Sequence, residues 1–349
     1  MSAPPASLTL GGLQRAPRRS HRVLPWLLGW LLLGAALGVA SLLIGTSSLS
    51  TSLGWLLTPD TQSAVVLWEI RLPRTVGAWC AGALLGLAGA IAQGLFRNPL
   101  AEPYLLGTAS GAALGVSVTL IVADASFAGL GWASQLGLSA AACLGAVAAT
   151  VLTLSLARGV LQTARLLLAG VVVAFLLGAL TQLLLLTRPD LWRTMQTFLL
   201  GNTALLSWSS TLMLGSVLLA CIVPATLLAR GLDALSLGED TARSLGLPLP
   251  TLRIALLGIL SAATACAVGQ VGVVGFVGLI APHLVRETRS VNHRQLLLAA
   301  PLCGGVLLQA ADLVSRWVIR PAELPVGAVT ACLGGVYLVV LLWRRNRHD

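Results

Sequence analysis

The stretch RLPRTVGAWCAGALLGLAGAIAQGLFRNPLAEPYLLGTASGAALG, residues 71–115, decides what kind of chain this is. Between Arg74 and Arg97 it contains no charged side chain. A run of that length covers the roughly 20 residues that a helix needs to cross a bilayer. Glycine and alanine recur through it, and small residues let membrane helices approach closely. Arg71 and Arg74 stand at its start, with Pro73 between them reading as the holder of a turn. At its other end Asn98-Pro99 is an ordinary turn signal, after which a second apolar run begins at 104. Two spans in close succession predict a polytopic, all-helical membrane protein.

Working outward, the composition agrees. The chain has 349 residues, of which 56% are hydrophobic and only 10% charged. Soluble domains average about 25% charged residues. The net charge is +10, and every basic residue is arginine. Without lysine there is no GxxxxGK[ST] phosphate loop, so this chain does not hydrolyse ATP by that route. Membrane topology accounts for the basicity, and no nucleic-acid partner is implied. The cysteines are single, sit in apolar runs and show no ligand spacing. They read as small hydrophobes rather than metal ligands.

Runs long enough to be spans fall at about 23–45, 73–96, 104–122, 132–157, 165–187, 207–229, 251–271, 274–285, 296–316 and 326–343. The eighth is short and reads as part of a broken element. Residues 1–22 and 346–349 are then tails, and 23–345 is one transmembrane domain. With the N-terminus inside, only Arg71, Arg74, Arg188, Arg193, Arg316 and Arg320 fall outside; all other arginines fall inside. This excess places both termini in the cytoplasm. Asp312 and Arg316 form an i,i+4 pair at the end of the ninth span.

One polar island interrupts the second half: LDALSLGEDTARSLGLPLP, 232–250. It predicts two very short helices, the first capped by Asp233 and ended by Gly238, the second over about Glu239–Leu245 and stopped by Gly246. Glu239 and Asp240 lie at the positive end of the second and Arg243 near its negative end. The island lies inside by the arginine rule. Its plain reading is a solvated loop; its sharper reading is a rigid cytoplasmic knob that takes force from another protein. The span interiors hold no charge, and the candidates for a proton or sodium relay, Asp312 and His283, sit near span ends. A solute pathway without its own energy source needs an external motor.

Four segments carry a family resemblance: 71–115, GFVGLIAPHLVR (275–286), LGEDTARSLGL (237–247) and AELPVGAVTACLGG (322–335). Together they resemble the FecCD-type permease subunits of ABC importers for iron–siderophores, haem and cobalamin, over nearly the whole chain. The resemblance implies a ten-helix permease of the type II importer fold in the bacterial inner membrane. It implies partners: a second copy of the chain, two ATP-binding cassette subunits and a periplasmic substrate-binding protein. It implies no cofactor on this chain, since ATP and Mg belong to the partner ATPase. Leu237, Gly238, Glu239, Asp240 and Arg243 match the coupling helices, about 232–247. Arg71, Arg74 and Arg316 match arginines that meet carboxylates of the binding protein. Asn98, Leu100 and Thr163 match the cytoplasmic gate; where many relatives carry a second hydroxyl, this chain has Ala164.

For the cargo, the resemblance places the mouth near LLLLTRPDLWRTMQTF, with Arg188, Trp192 and Arg193 on the substrate path. Two arginines beside a tryptophan suit a flat carboxylated ligand, which favours haem over neutral cobalamin, with ferric siderophore also open. Met195 is the only soft donor there, and interfacial anchoring explains Trp192 equally well. The rival of another class is a stand-alone carrier or channel.

Overall fold

A computed structural model of the protein describes residues 23–43, 64–123, 132–157, 163–319 and 322–345. The two tails, with Arg15, Arg18, Arg19, Arg22 and Arg347, and also Arg158 and Arg320, lie outside the described residues. The described chain is helical throughout. Its elements are α1 (Val23–Leu43), α2 (Leu72–Phe96), α3 (Thr108–Ala123), α4 (Trp132–Leu156), α5 (Thr163–Thr187), α6 (Trp192–Leu199), α7 (Trp208–Leu227), α8 (Ala229–Ser236), α9 (Glu239–Ser244), α10 (Leu249–Val271), α11 (Val277–Thr288), α12 (His293–Trp317) and α13 (Val326–Arg345). Seven helical stretches are long and apolar enough to cross a membrane; α3 and α13 are apolar but shorter. Each expected span coincides with a helix. The region 194–229 divides into the separate short α6 and the long α7.

α2 is the axle of the fold. Almost every residue from Pro73 to Phe96 is buried, because its small side chains let other backbones touch it. A Cβ on Gly82 would sit 2.3 Å from the Gly304 carbonyl of α12, and one on Gly89 would sit 1.7 Å from the Gly278 carbonyl of α11. No residue larger than glycine fits there without moving a helix. A second seam of the same kind joins α3 to α4, where Gly111 meets Gly145 and Gly115 meets Ala141.

The start of α2 differs from the expected turn. Val66–Arg71 is a π-helix that runs straight into α2, so Pro73 lies inside continuous helix. The Leu72 amide donates to the Leu67 carbonyl, one residue farther back than in an α-helix. A proline clashes with the carbonyl four residues before it, and a single wide turn relieves that clash without ending the helix.

The eighth run is a half-helix. α11 has 12 residues and so is about 18 Å long. Gly278, near its start, lies against Pro103 and against the Leu85 carbonyl halfway along α2. The unwound segment 272–276 before it, and the turn 97–107 before α3, therefore fold back toward the middle of the bundle.

Candidate functional site

Three places carry the polar chemistry: a knob at one end of the bundle, the turn after α2, and a charge cluster at the opposite end.

The knob is α8 and α9. α8 begins at Ala229, directly after α7, and Leu228 provides no side-chain cap. Asp233 is therefore not the cap expected from the sequence. It sits mid-helix and its carboxylate accepts from the His293 backbone amide at 3.0 Å and pairs with His293 Nδ1 at 2.7 Å, tying α8 to the first turn of α12. Gly238, at φ 114°, joins the two short helices in a conformation open to glycine. Leu232, Leu235 and Ala242 form a buried floor beneath them.

Above that floor the predicted coupling residues separate into two kinds. Leu237, Asp240 and Arg243 are exposed, with Leu245 beside them. Glu239 is only partly exposed: it accepts from Arg253 Nη2 at 2.5 Å and lies 3.7 Å from Arg243. Arg253, 4% exposed, comes from the first turn of α10. Sequence reasoning did not single it out. The available signal was its position: an arginine at the positive end of a helix dipole needs an acid nearby.

In the turn, Arg97 ends α2 in the left-handed conformation at φ 50°. Asn98 then accepts from the Leu100 amide at 2.9 Å, closing an Asx-turn, and both side chains are exposed. Thr163 opens α5, and its side chain lies outside the described residues. The turn also carries Glu102. By sequence it lies between runs; folded, it is partly buried and accepts from the Phe276 amide at 2.9 Å.

The opposite end holds a cluster, in which the three arginines matched to binding-protein docking are buried in ion pairs and hydrogen bonds within the chain. Arg71, Arg74 and Arg316 are 7%, 8% and 3% exposed. Arg74 donates through Nε and Nη2 to Asp312 Oδ1 at 3.1 and 2.9 Å, and through Nη1 to Glu323. Arg316 donates to Asp312 Oδ2 at 2.6 Å and to Ser41 of α1. Arg71 donates to the Leu42 carbonyl at 2.7 Å, and Thr203 donates to Asp312 at 2.5 Å. Asp312 is fully buried. Removing two charge types from water is tolerable only when such a network satisfies both.

The proposed cargo mouth is not a single patch. Arg188 closes on Asp190 through two hydrogen bonds of 3.1 and 3.0 Å, holding that carboxyl below its ordinary pKa. Trp192 and Arg193 are exposed. None of the three lines the cavity of about 300 Å³ beside α6, which is bounded by neutral groups such as Thr194, Thr197, Asn202 and Gln270. Among the described residues no cluster of side chains is arranged to hold a metal ion. His283 instead pairs with Tyr337 at 2.6 Å.

These features describe a multi-pass helical membrane protein: buried helices with a knob that protrudes from one end of them. Comparison with known proteins gives the family. The model of the FecCD transport family matches residues 30–344. The vitamin B12 import system permease protein BtuC of Klebsiella pneumoniae is 38% identical over 343 residues, 97% of this chain and 98% of the relative. BtuC of Salmonella typhimurium is 36% identical over 338 residues, 95% and 99% respectively. An inward-facing metal-chelate type ABC transporter superposes with TM-score 0.80 at 30% identity, covering 92% of this chain and 99% of that one. PsaBC from Streptococcus pneumoniae shares the fold at TM-score 0.53 and 16% identity, over 76% and 90%. The chain belongs to the FecCD transport family. It is the permease of an ABC importer in the bacterial inner membrane, and ATP hydrolysis belongs to separate subunits.

Proposed function

We propose that this chain conducts a bulky metal chelate of the corrinoid class, cobalamin or a close relative, from periplasm to cytoplasm by alternating access. It does so as a pair of copies with two ATPase subunits and a periplasmic binding protein. The observation that carries the cargo is near-full-length similarity to vitamin B12 permeases. The case for haem rested on two free cations, and Arg188 is engaged by Asp190. Haem or another iron complex keeps one supporting observation, the exposed Arg193 beside Trp192. Ferric siderophore is the remaining member of the class.

In this reading the chain crosses the membrane ten times, α11 being a broken crossing, and both termini and the knob face the cytoplasm. The arginine excess at the knob end supports that orientation. The ATPase receives the exposed tip, Leu237, Asp240 and Arg243, with Gly238 shaping it and Glu239 as its foot. Asn98, Leu100 and Thr163 form the inner gate near the two-fold axis. The binding protein docks at the cluster end. Arg71, Arg74 and Arg316 meet its carboxylates by exchange with Asp312 and Glu323, which makes docking sensitive to salt.

The test is uptake into proteoliposomes containing the permease, its ATPase and its binding protein, with cyanocobalamin and haemin as alternative cargoes. ATP-dependent accumulation of cyanocobalamin above haemin is expected. Preference for haemin assigns the second cargo. Accumulation without the ATPase, abolished by an uncoupler, makes the chain a stand-alone carrier and overturns the importer reading.

A further inference from the structure

The non-helical segment 272–276 is buried or partly buried within the bundle, where backbone polar groups freed from a helix need other partners. The Gly272 and Val273 amides donate to the carbonyls of Val268 and Phe198, and side chains of the turn after α2 serve Val274 and Phe276. Tyr104 OH donates to the Val274 carbonyl at 2.8 Å and accepts from the Val274 amide at 3.3 Å. Glu102 Oε1 accepts from the Phe276 amide at 2.9 Å. Phe276 adopts a left-handed φ of 68°, a strained conformation for a bulky residue, immediately before α11. Two side chains from one short turn thus hold both polar groups of Val274 and the amide of Phe276.

Nearer the knob, α11 is also tied to α2 itself. Gln93, at the end of α2, donates to the Leu279 carbonyl at 3.0 Å and accepts from Arg286 of α11. Pro103 packs directly on Gly278. The turn that carries Asn98 and Leu100 is therefore joined directly to the break that starts α11, and the α2 end from which the turn springs is joined to α11 itself. Separating them strands three backbone groups and a carboxylate inside the bundle at once.

We propose that Glu102 and Tyr104 are positioning residues that make the turn 97–107 and the half-helix α11 one rigid body, so that the inner gate moves only together with the broken helix. The transport consequence rests on the importer reading above; the tie itself does not. The carboxylate acts here as a hydrogen-bond acceptor, so a neutral amide of the same shape keeps the function and an isosteric apolar side chain loses it.

The experiment has two readouts on the full chain. In nanodiscs, amide hydrogen exchange at Val274 and Phe276 is compared for wild type, Glu102→Gln, Glu102→Leu and Tyr104→Phe. Glu102→Leu should lose protection at Phe276, and Tyr104→Phe at Val274, each by about tenfold or more, with Glu102→Gln near wild type. In the reconstituted transporter with cyanocobalamin, Glu102→Leu should lower uptake per ATP hydrolysed while hydrolysis continues, and Glu102→Gln should restore it. Unchanged protection in the Leu and Phe variants overturns the tie. Lost protection with an unchanged uptake-to-hydrolysis ratio, or a Gln variant as damaged as Leu, overturns the rigid-body role. If wild type shows no ATP-driven uptake, the importer reading fails, and the exchange data alone still decide the tie.

Discussion

The two ends of the bundle use charge in opposite ways. At the cluster end, arginines and acids are buried together: Asp312 is inaccessible and receives Arg74, Arg316 and Thr203 at once. At the knob end, charges stand in solvent, and each short helix has one anchoring pair, Asp233–His293 for α8 and Glu239–Arg253 for α9. The first arrangement fixes α1, α2 and α12 against one another. The second leaves charged side chains exposed on a firm footing. Charged residues of the same chain thus serve as internal fastening at one end and stand in solvent at the other, where we propose that the ATPase docks.

The largest break in this contrast is expected from Asp312→Ala. It removes the buried acceptor shared by Arg74 and Arg316, leaving Arg74 with Glu323 and Arg316 with Ser41, and breaking a buried pair from one side costs about 3–5 kcal/mol. Thermal unfolding of the purified permease in detergent checks it; a shift no larger than that of a surface variant would mean that the cluster is hydrated. Next comes Arg253→Ala, which leaves Glu239 without its main partner. A hydrogen bond to a charged group contributes about 1.5–3 kcal/mol, so stability should fall less than for Asp312→Ala. Coupling of ATP hydrolysis to transport should fall more, because the foot of α9 is lost.

Asp240→Ala with Arg243→Ala should change stability by no more than about 0.5 kcal/mol, as exposed pairs do. Pull-down of the ATPase should nevertheless drop sharply. A stable variant that still binds the ATPase would erase the distinction between the ends. Smallest is Arg188→Ala. Its pair with Asp190 is exposed, so the fold should be indifferent, and uptake of neutral cyanocobalamin should be unchanged. A selective loss of haemin uptake would instead restore the anionic-cargo reading.

Much of this architecture was legible in one dimension. Hydropathy located the helices because a span is a local run, and Gly238, Glu239 and Asp240 marked α9 because a short helix needs a start and a charge order. What was not legible depends on depth and on distant partners. Arg74 reads as an outward cation until Asp312, 238 residues away, is placed beside it. Glu102 reads as a loop residue because its depth is set by how the turn folds back, not by its neighbours. Asp233 reads as a cap because Asp-x-x is a local pattern, whereas the amide it serves belongs to α12. The ten runs exceed the seven stretches of spanning length because α3, α11 and α13 fall short of it; α3 and α11 follow turns that hydropathy counts as membrane.

The wide turn ahead of Pro73 has an evolutionary side. A π-turn holds one residue more than the α-turn it replaces, and α2 is already locked by Gly82, Gly86 and Gly89 against its neighbours. Loss of Glu69 or Ile70 would be absorbed upstream as ordinary helix. It would swing Trp68 by about 100°, away from Trp208, whose ring it meets at a tilt, and leave Arg74 in place. Length changes at this site therefore re-aim the residues ahead of α2 without touching the axle.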